Sequence, residues 1–316
     1  MERRTKVGIS SCLLGQKVRY DGGHKLDHYL RETLAHSIDW VPVCPEVEYG
    51  LPVPREAMRL VGTPEAPRLV TTRTEVDHTE GMRRWAAEKL KELAKEELCG
   101  FVFKSRSPSS GMRGVKVYTP SGIPTRTGVG IFAKAFMERY PLMPVEDDAR
   151  LHNPALRENF IERIFVFRRW KEFERSGGTI NGLVSFHTDH KLLILSHSVM
   201  HYRMLGTIVA HAKRYPSAKR NFEYLATLMG GLKLLSTAKK NTNVLMHMLG
   251  YFRKKLSADE KQELREGIED YHKGLVPLIV PVTLIKHYVR KYDEQYLARQ
   301  HYLSPHPLEL MLRNHV

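Results

Sequence analysis

The chain has 316 residues, 42 % of them hydrophobic and 27 % charged, with a formal net charge of +15 and an isoelectric point near 9.7. This length holds two ordinary domains or one large one, each able to bury a core, and the composition is that of a soluble globular protein. A membrane span is excluded, because no window approaches the roughly 18 apolar residues one needs, and an odd count of three cysteines argues against a disulfide scaffold.

The opening stretch MERRTKVGISSCLLG lacks the apolar core of a secretory signal, so a cytoplasmic location is expected. KVGIS reads as a short strand followed by the loop SCLLGQKVRYDGG. DHYLRETLAHS has helical spacing, with Leu30 and Leu34 four apart, and DWVPVCPE reads as a second strand ending in a loop. TEGMRRWAAEKLKELAKEELC is a strong amphipathic helix with Met82, Ala86, Leu90 and Leu93 on one stripe. GFVFKS is a third strand. The β-α-β order predicts a small, mostly parallel, Rossmann-like α/β sheet.

Residues 121–155 carry frequent Gly, Pro and Asp, and MPVEDDARLHNP within them looks like the domain connection, with domains at 1–148 and 149–316. The second domain reads as all-α, with roughly six helices by its periodicity. One begins near Pro154, and another starts at a capping box, Ser257 with Glu260, and stops at Gly274. The charge is uneven: 26 Lys+Arg face 15 Asp+Glu in residues 151–316, against 24 and 20 in residues 1–150. The second half is therefore the candidate for a polyanionic partner. Its basic clusters are Arg168 and Arg169, Lys213 and Arg214, Lys219 and Arg220, Lys239 and Lys240, and Arg253, Lys254 and Lys255. Trp170, Tyr215, Phe222, Tyr251 and Phe252 stand near them, a mixture suited to phosphate contacts with base stacking. His187, His190, His197 and His201 read as solvated or RNA-facing; His197 and His201 are four apart on one expected helix, without the acidic residue of a metalloprotease helix.

Three strand ends carry unusual loops, and in open α/β sheets ligands bind beyond such ends. Cys12 follows the first strand, Cys44 the second, and KSRSPSSG the third. Cys44 stands two residues before Glu46, and Pro45 restricts the backbone so that both side chains can share one space.

SSCLLGQKVRYDGGHK, VCPEVEYGLPVPREAMRL and LCGFVFKSRSPSSGM resemble the motif set of the thiouracil desulfidase family. FIERIFVFRRWKEF, GLVSFHTDHKLLILSHS, NTNVLMHMLGYFRKKLSADEKQEL and GLVPLIVPVTLIKHYVRKY resemble the helical domain fused to it in two-domain tRNA 4-thiouridine desulfidases. The resemblance implies a [4Fe–4S] cluster held by three cysteines, and Cys12 and Cys44 match two of them. The family's third loop reads Ser-Pro-Ser-Cys-Gly, and Ser110 stands here at the third ligand position. A hydroxyl is a harder and far less acidic ligand than a thiol, so weak or absent cluster binding is expected. Cys99, eleven positions earlier, is too far along the strand to substitute. The resemblance further implies Ser107 near the substrate; a carboxylate beside a metal-bound thiolate makes Glu46 the expected proton carrier, and Arg19, Tyr20, Lys104 and Ser105 are expected to bind substrate. Lys104 balances cluster charge, holds a substrate phosphate, or forms a salt bridge across the strand ends. The implied reaction is non-redox replacement of sulfur by oxygen in tRNA 4-thiouridine, without a membrane or an obligate protein partner. A desulfidase of free thiouracil-type bases and a non-catalytic RNA-binding protein are the alternatives.

Overall fold

The structure, a computed structural model, describes residues 4–119, 123–307, 310 and 312–314. Two compact units divide the chain, Met1–Asn153 and Pro154–Val316. The first is α/β and the second helical. Among the described residues, no helix is long and apolar enough to cross a membrane.

The first unit runs β1 (Thr5–Ser10), β2 (Ile38–Val43), α1 (Pro45–Glu48), β3 (Met58–Gly62), β4 (Pro67–Thr71), α2 (Thr79–Lys95), β5 (Phe101–Phe103), β6 (Val115–Tyr118), β7 (Pro124–Gly128), α3 (Ile131–Arg139), β8 (Val145–Asp147) and α4 (Asp148–Leu151). The three strands legible in the sequence, β1, β2 and β5, form one parallel sheet with β8, in the order β2-β1-β5-β8. Val7, Ile9, Phe101, Val102 and Phe103 are fully buried in it, as expected of parallel strands covered on both faces. Gly8 is needed here, since a Cβ would lie 2.2 Å from the Phe101 ring. Phe101 and Phe103 stack at 4.3 Å and pack on Phe132 and Phe136 of α3.

The mostly parallel α/β sheet is present as expected, and the unit holds another besides. A second sheet, β4-β3-β6-β7, joins one parallel pair, β3 with β6, to two antiparallel ones. Its inner face, including Leu60, Leu69, Val115 and Val117, packs on Met82 of α2 and Ile131 of α3. The Leu30–Leu34 segment is a short π turn and a 3₁₀ turn rather than an α-helix. Nor is MPVEDDARLHNP a bare connection: it contains β8 and α4. The units divide at Asn153 rather than at 148, because α4 is bound to the first sheet, Asp148 accepting hydrogen bonds from Ser105 N at 2.6 Å and Lys104 Nζ at 2.7 Å.

The second unit comprises α5 (Pro154–Arg175), α6 (Ile180–His197), α7 (Val199–Ala210), α8 (Ser217–Leu232), α9 (Ala238–Tyr251), α10 (Ala258–His272), α11 (Ile279–Lys291) and α12 (Gln295–Ala298). Helix α5 is buried along most of its length, and Trp170 stacks on Tyr224 at 5.3 Å and meets Phe186 edge-on. The capping box at Ser257 and Glu260 forms as the sequence predicts. The long helical run through 197–201 does break. Ser198 adopts an extended conformation, and its side chain caps α7 by accepting the His201 amide.

Candidate active site

Strands β1, β2 and β5 run in the same direction, so the loops that follow them emerge at one edge of the sheet. After β1 the chain tightens into a 3₁₀ turn, Ser11–Leu14, that closes on Gly15 at φ 89°, and the Cys12 carbonyl accepts the Lys25 amide at 2.9 Å. After β2, Cys44 precedes α1, and its amide is capped by Glu48 at 2.8 Å. After β5, the Lys104 amide donates to Ser10 Oγ at 2.8 Å, which ties the third loop to the first.

The serines of the third loop largely serve the loop itself. Ser107 Oγ accepts the amides of Ser109 at 3.3 Å and Ser110 at 3.1 Å, while the Ser107 carbonyl accepts the Gly111 amide at 2.8 Å. The Gly130 amide donates to the Gly111 carbonyl at 2.8 Å, and a Cβ at Gly130 would lie 2.5 Å from the Ser109 carbonyl. Backbone thus packs on backbone behind Ser110.

The three loops enclose a cavity of about 350 Å³. It is lined by Cys12, Arg19, Tyr20, Cys44, Glu46, Lys104, Ser105, Ser107 and Ser110, so every sequence-predicted site residue of the first domain meets there. Cys99 is buried and lies outside the lining. Cys44 Sγ donates to Glu46 Oε2 at 3.6 Å, and Ser109 Oγ donates to Glu46 Oε1. The hydroxyl that reaches the carboxylate is thus that of Ser109. Arg55 Nη2 stands 3.8 Å from Glu46 Oε2, with both side chains largely buried. Lys104 pairs with Asp148 across the strand ends, the salt bridge among the three roles considered for it. Arg19 lies 3.4 Å from Asp21, and Tyr20 is exposed at the rim with the Arg19 guanidinium 5.5 Å from its ring centroid. Burial pushes the Cys12 thiol up to about 11 against the pull of Lys104. Burial, then the Glu46 charge, pushes Cys44 up to about 12. Arg55, Ser109 and Asp148 escaped the sequence reading. Arg55 and Ser109 lie inside the quoted motifs, but nothing in residue type set them apart.

In the helical unit the basic residues divide. Lys213, Arg214, Lys219, Lys239, Arg253, Lys254 and Lys255 are exposed, although Lys255 pairs with Glu294 at 2.6 Å. Arg220 is corrected: it is buried and donates to the Gly178 carbonyl at 2.8 Å, holding the turn before α6. Three others are engaged internally: Arg168 with Glu172, Arg169 with the Pro305 carbonyl, and Lys240 Nζ with the carbonyls of His197 and Leu235. Trp170 and Phe252 are core, whereas Tyr215 and Phe222 are exposed. The histidine expectation is corrected too. His190 and His197 are buried, and the break at Ser198 directs His197 to Glu162 at 3.2 Å and His201 to Ser198 at 2.9 Å. Glu162 also binds Arg313 at 2.9 Å, and Arg313 binds Glu158 at 3.2 Å.

The profile of the 2-thiouracil desulfurase family matches residues 7–148. Uncharacterized protein YbbK of Bacillus subtilis (strain 168) is 33 % identical over 131 residues, 40 % of this chain and 85 % of that protein. Uncharacterized protein YbgA of Escherichia coli (strain K12) is 33 % identical over 153 residues, 48 % of this chain and 90 % of that protein. This chain belongs to the 2-thiouracil desulfurase family. Residues 191–307 also match the family DUF1722, described as of unknown function. Among solved structures, the [4Fe-4S]-dependent thiouracil desulfidase TudS is 30 % identical, covering 50 % of this chain and 100 % of its own, with a TM-score of 0.40.

The cavity of this desulfurase-family chain offers two thiol sulfurs and a hydroxyl toward one space, with the Lys104 ammonium among its lining groups. Thiolates are the usual holders of iron–sulfur clusters. Cys12 and Cys44 would supply two; Ser110 Oγ would ligate iron only as an alkoxide. The donor set thus fits such a group, with one hard arm in place of a soft one.

Proposed function

We propose that this chain removes sulfur from 4-thiouridine in tRNA, giving uridine and sulfide, in the cavity of the first unit. One observation carries the reading: Cys12, Cys44 and Ser110, from three loops far apart in sequence, line one cavity with Glu46. Cys12, Cys44 and Ser110 would hold a [4Fe–4S] cluster, which when bound supplies a soft Lewis-acid position for a thiocarbonyl sulfur. The side chains do the rest. Glu46 takes a proton from a water attacking the ring carbon; Ser109 and Arg55 hold the carboxylate in place for that transfer. A carbon–oxygen bond forms, the carbon–sulfur bond breaks, and the water's two protons leave with the sulfur, so no redox partner is needed. Ser107 positions the substrate at the cavity wall, where Lys104 is held by its pair with Asp148, and Tyr20 offers a ring at the rim. The exposed Lys213, Arg214, Lys219, Lys239, Arg253 and Lys254 bind tRNA phosphates, with Tyr215 and Phe222 available for stacking.

Ser110 weakens the hold on the cluster. Iron and acid-labile sulfide should be low after anaerobic reconstitution and should rise with Ser110→Cys. A full-strength cluster in the unmodified chain, stable on standing, overturns this point. No sulfide released from thiolated tRNA by the iron-loaded Ser110→Cys protein overturns the reaction. A second reading, action on free bases, is favoured by the name of the matching family and by a cavity large enough for a pyrimidine. It predicts faster turnover of free thiouracil than of thiolated tRNA.

A further inference from the structure

The second sheet carries a row of cations beside the cavity. Leu60 of β3 and Val117 of β6 are paired and fully buried, so their neighbours project from the opposite face. Arg59 and Lys116 each stand one residue before that pair. On the next strand, Arg126 follows Thr125, which pairs with Val117 beside an irregularity in the register. Three basic side chains thus lie abreast across β3, β6 and β7, a span of two strand spacings, about 10 Å. Like charges on adjacent strands repel. Arg59 has a partner, Glu75 at 3.3 Å, and lies over the Tyr118 ring. Among the described residues no carboxylate pairs with Lys116, Arg126 or Arg106.

These four basic residues line one cavity of about 380 Å³. That cavity shares Met58, Arg106 and Pro108 with the cavity containing Cys12 and Cys44. Arg106 sits at φ 60°, a backbone conformation rare for a side chain larger than glycine, in the loop between the two spaces. A row of four cations that starts at the site of chemistry, three of them without a carboxylate partner among the described residues, is complementary to a chain of phosphates, and a free base has none.

We infer that the groove over the second sheet, lined by Arg106, Arg59, Lys116 and Arg126, binds the phosphates of the RNA strand flanking the nucleotide in the cavity. The inference rests on the tRNA reading above and names the part of the first unit that carries the strand. The phosphate contacts fix the strand's register and are indifferent to the presence of sulfur.

The test is fluorescence anisotropy of the full chain with tRNA, thiolated and not, over a salt series. Lys116→Ala with Arg126→Ala should weaken both tRNAs about tenfold near 0.1 M salt and flatten the log–log salt slope by about 2, one per lost phosphate contact. Lys91→Ala, an exposed charge on α2 outside the groove, should change neither. On the unmutated chain, tRNA should protect Lys116 from amine acetylation. If the chain binds tRNA, the double variant binds equally well and Lys116 stays reactive, the groove is wrong and the tRNA reading survives. If the slope flattens and Lys116 is protected but no sulfide is released, the groove stands and the reaction is wrong. Absence of salt-dependent tRNA binding sinks both.

Discussion

Replacing Glu46 by Gln tests the proton transfer with little change of shape. In the folded chain Glu46 accepts from Ser109 Oγ through Oε1 and faces Arg55 and the Cys44 thiol through Oε2. An amide oxygen still accepts from Ser109, so orientation survives, but the amide cannot take up a proton at neutral pH. General-base catalysis is worth about 10²- to 10⁴-fold, and kcat should fall by that amount with KM nearly unchanged. The substitution also leaves the largely buried Arg55 without its facing charge. At 3.8 Å a unit pair is worth about 4 kcal/mol at an effective dielectric near 20, before desolvation offsets much of it. A stability loss of about 1–3 kcal/mol should therefore accompany the kinetic one. Single-turnover sulfide release from thiolated tRNA, in an anaerobically reconstituted Ser110→Cys background, separates the two effects when paired with thermal denaturation. Ser109→Ala keeps the carboxylate and removes its hydrogen-bond donor, so it should cost less in kcat than Glu46→Gln. Turnover within about threefold of the parent in the Glu46→Gln protein would refute the assignment.

Three further outcomes follow from the geometry. Gly130→Ala forces a Cβ to within 2.5 Å of the Ser109 carbonyl, which is backbone and cannot swing aside, so a loss of about 1–3 kcal/mol is expected, with poorer iron retention in the Ser110→Cys background; an unchanged Tm counts against the packing argument. Glu162→Ala leaves buried Arg313 and His197 facing no carboxylate at that position and should destabilise the chain by about 3–5 kcal/mol in urea denaturation; a loss below about 1 kcal/mol would show the network to be dispensable. Cys12 is a thiol held near 11 against an ordinary value of 9.0. A raised value keeps the proton on, so at pH 8 about one chain in a thousand carries the thiolate rather than about one in ten, and alkylation of the iron-free protein should run at least about 100-fold slower than for an exposed thiol and accelerate tenfold per pH unit up to pH 11. Rapid alkylation at pH 7 would contradict the burial that sets this value.

Much of the site was legible because its parts are local. Each of Cys12, Cys44 and the 107–111 turn follows a strand marked by a short apolar run, and parallel strands deliver their ends to one edge. The stripe of Met82, Ala86, Leu90 and Leu93 is likewise buried as its spacing predicts. The second sheet was not legible. MRLVG and PRLVT are five-residue strands with arginine on the outward face, set among prolines; they pair with each other, but the strand that extends them into a sheet, β6, lies far along the chain. Buried charge was illegible for a different reason. Arg220, Glu162 and Arg313 look like surface residues by type, and only their partners, distant in sequence, make burial tolerable. Ser198 hid a helix break inside an unbroken apolar periodicity. A serine can cap a helix or ride within one, and composition does not say which.

The turn behind the third donor position is held by Ser107 Oγ, by the Gly111 amide and by the Gly130 amide, bonds in which the side chain at 110 takes no part. The socket therefore keeps its contour whichever small group is plugged into it. Exchange of oxygen for sulfur at that one point becomes a change of chemical hardness without a change of shape, so under the proposed function Ser110→Cys would add a soft arm while the surrounding protein folds as before.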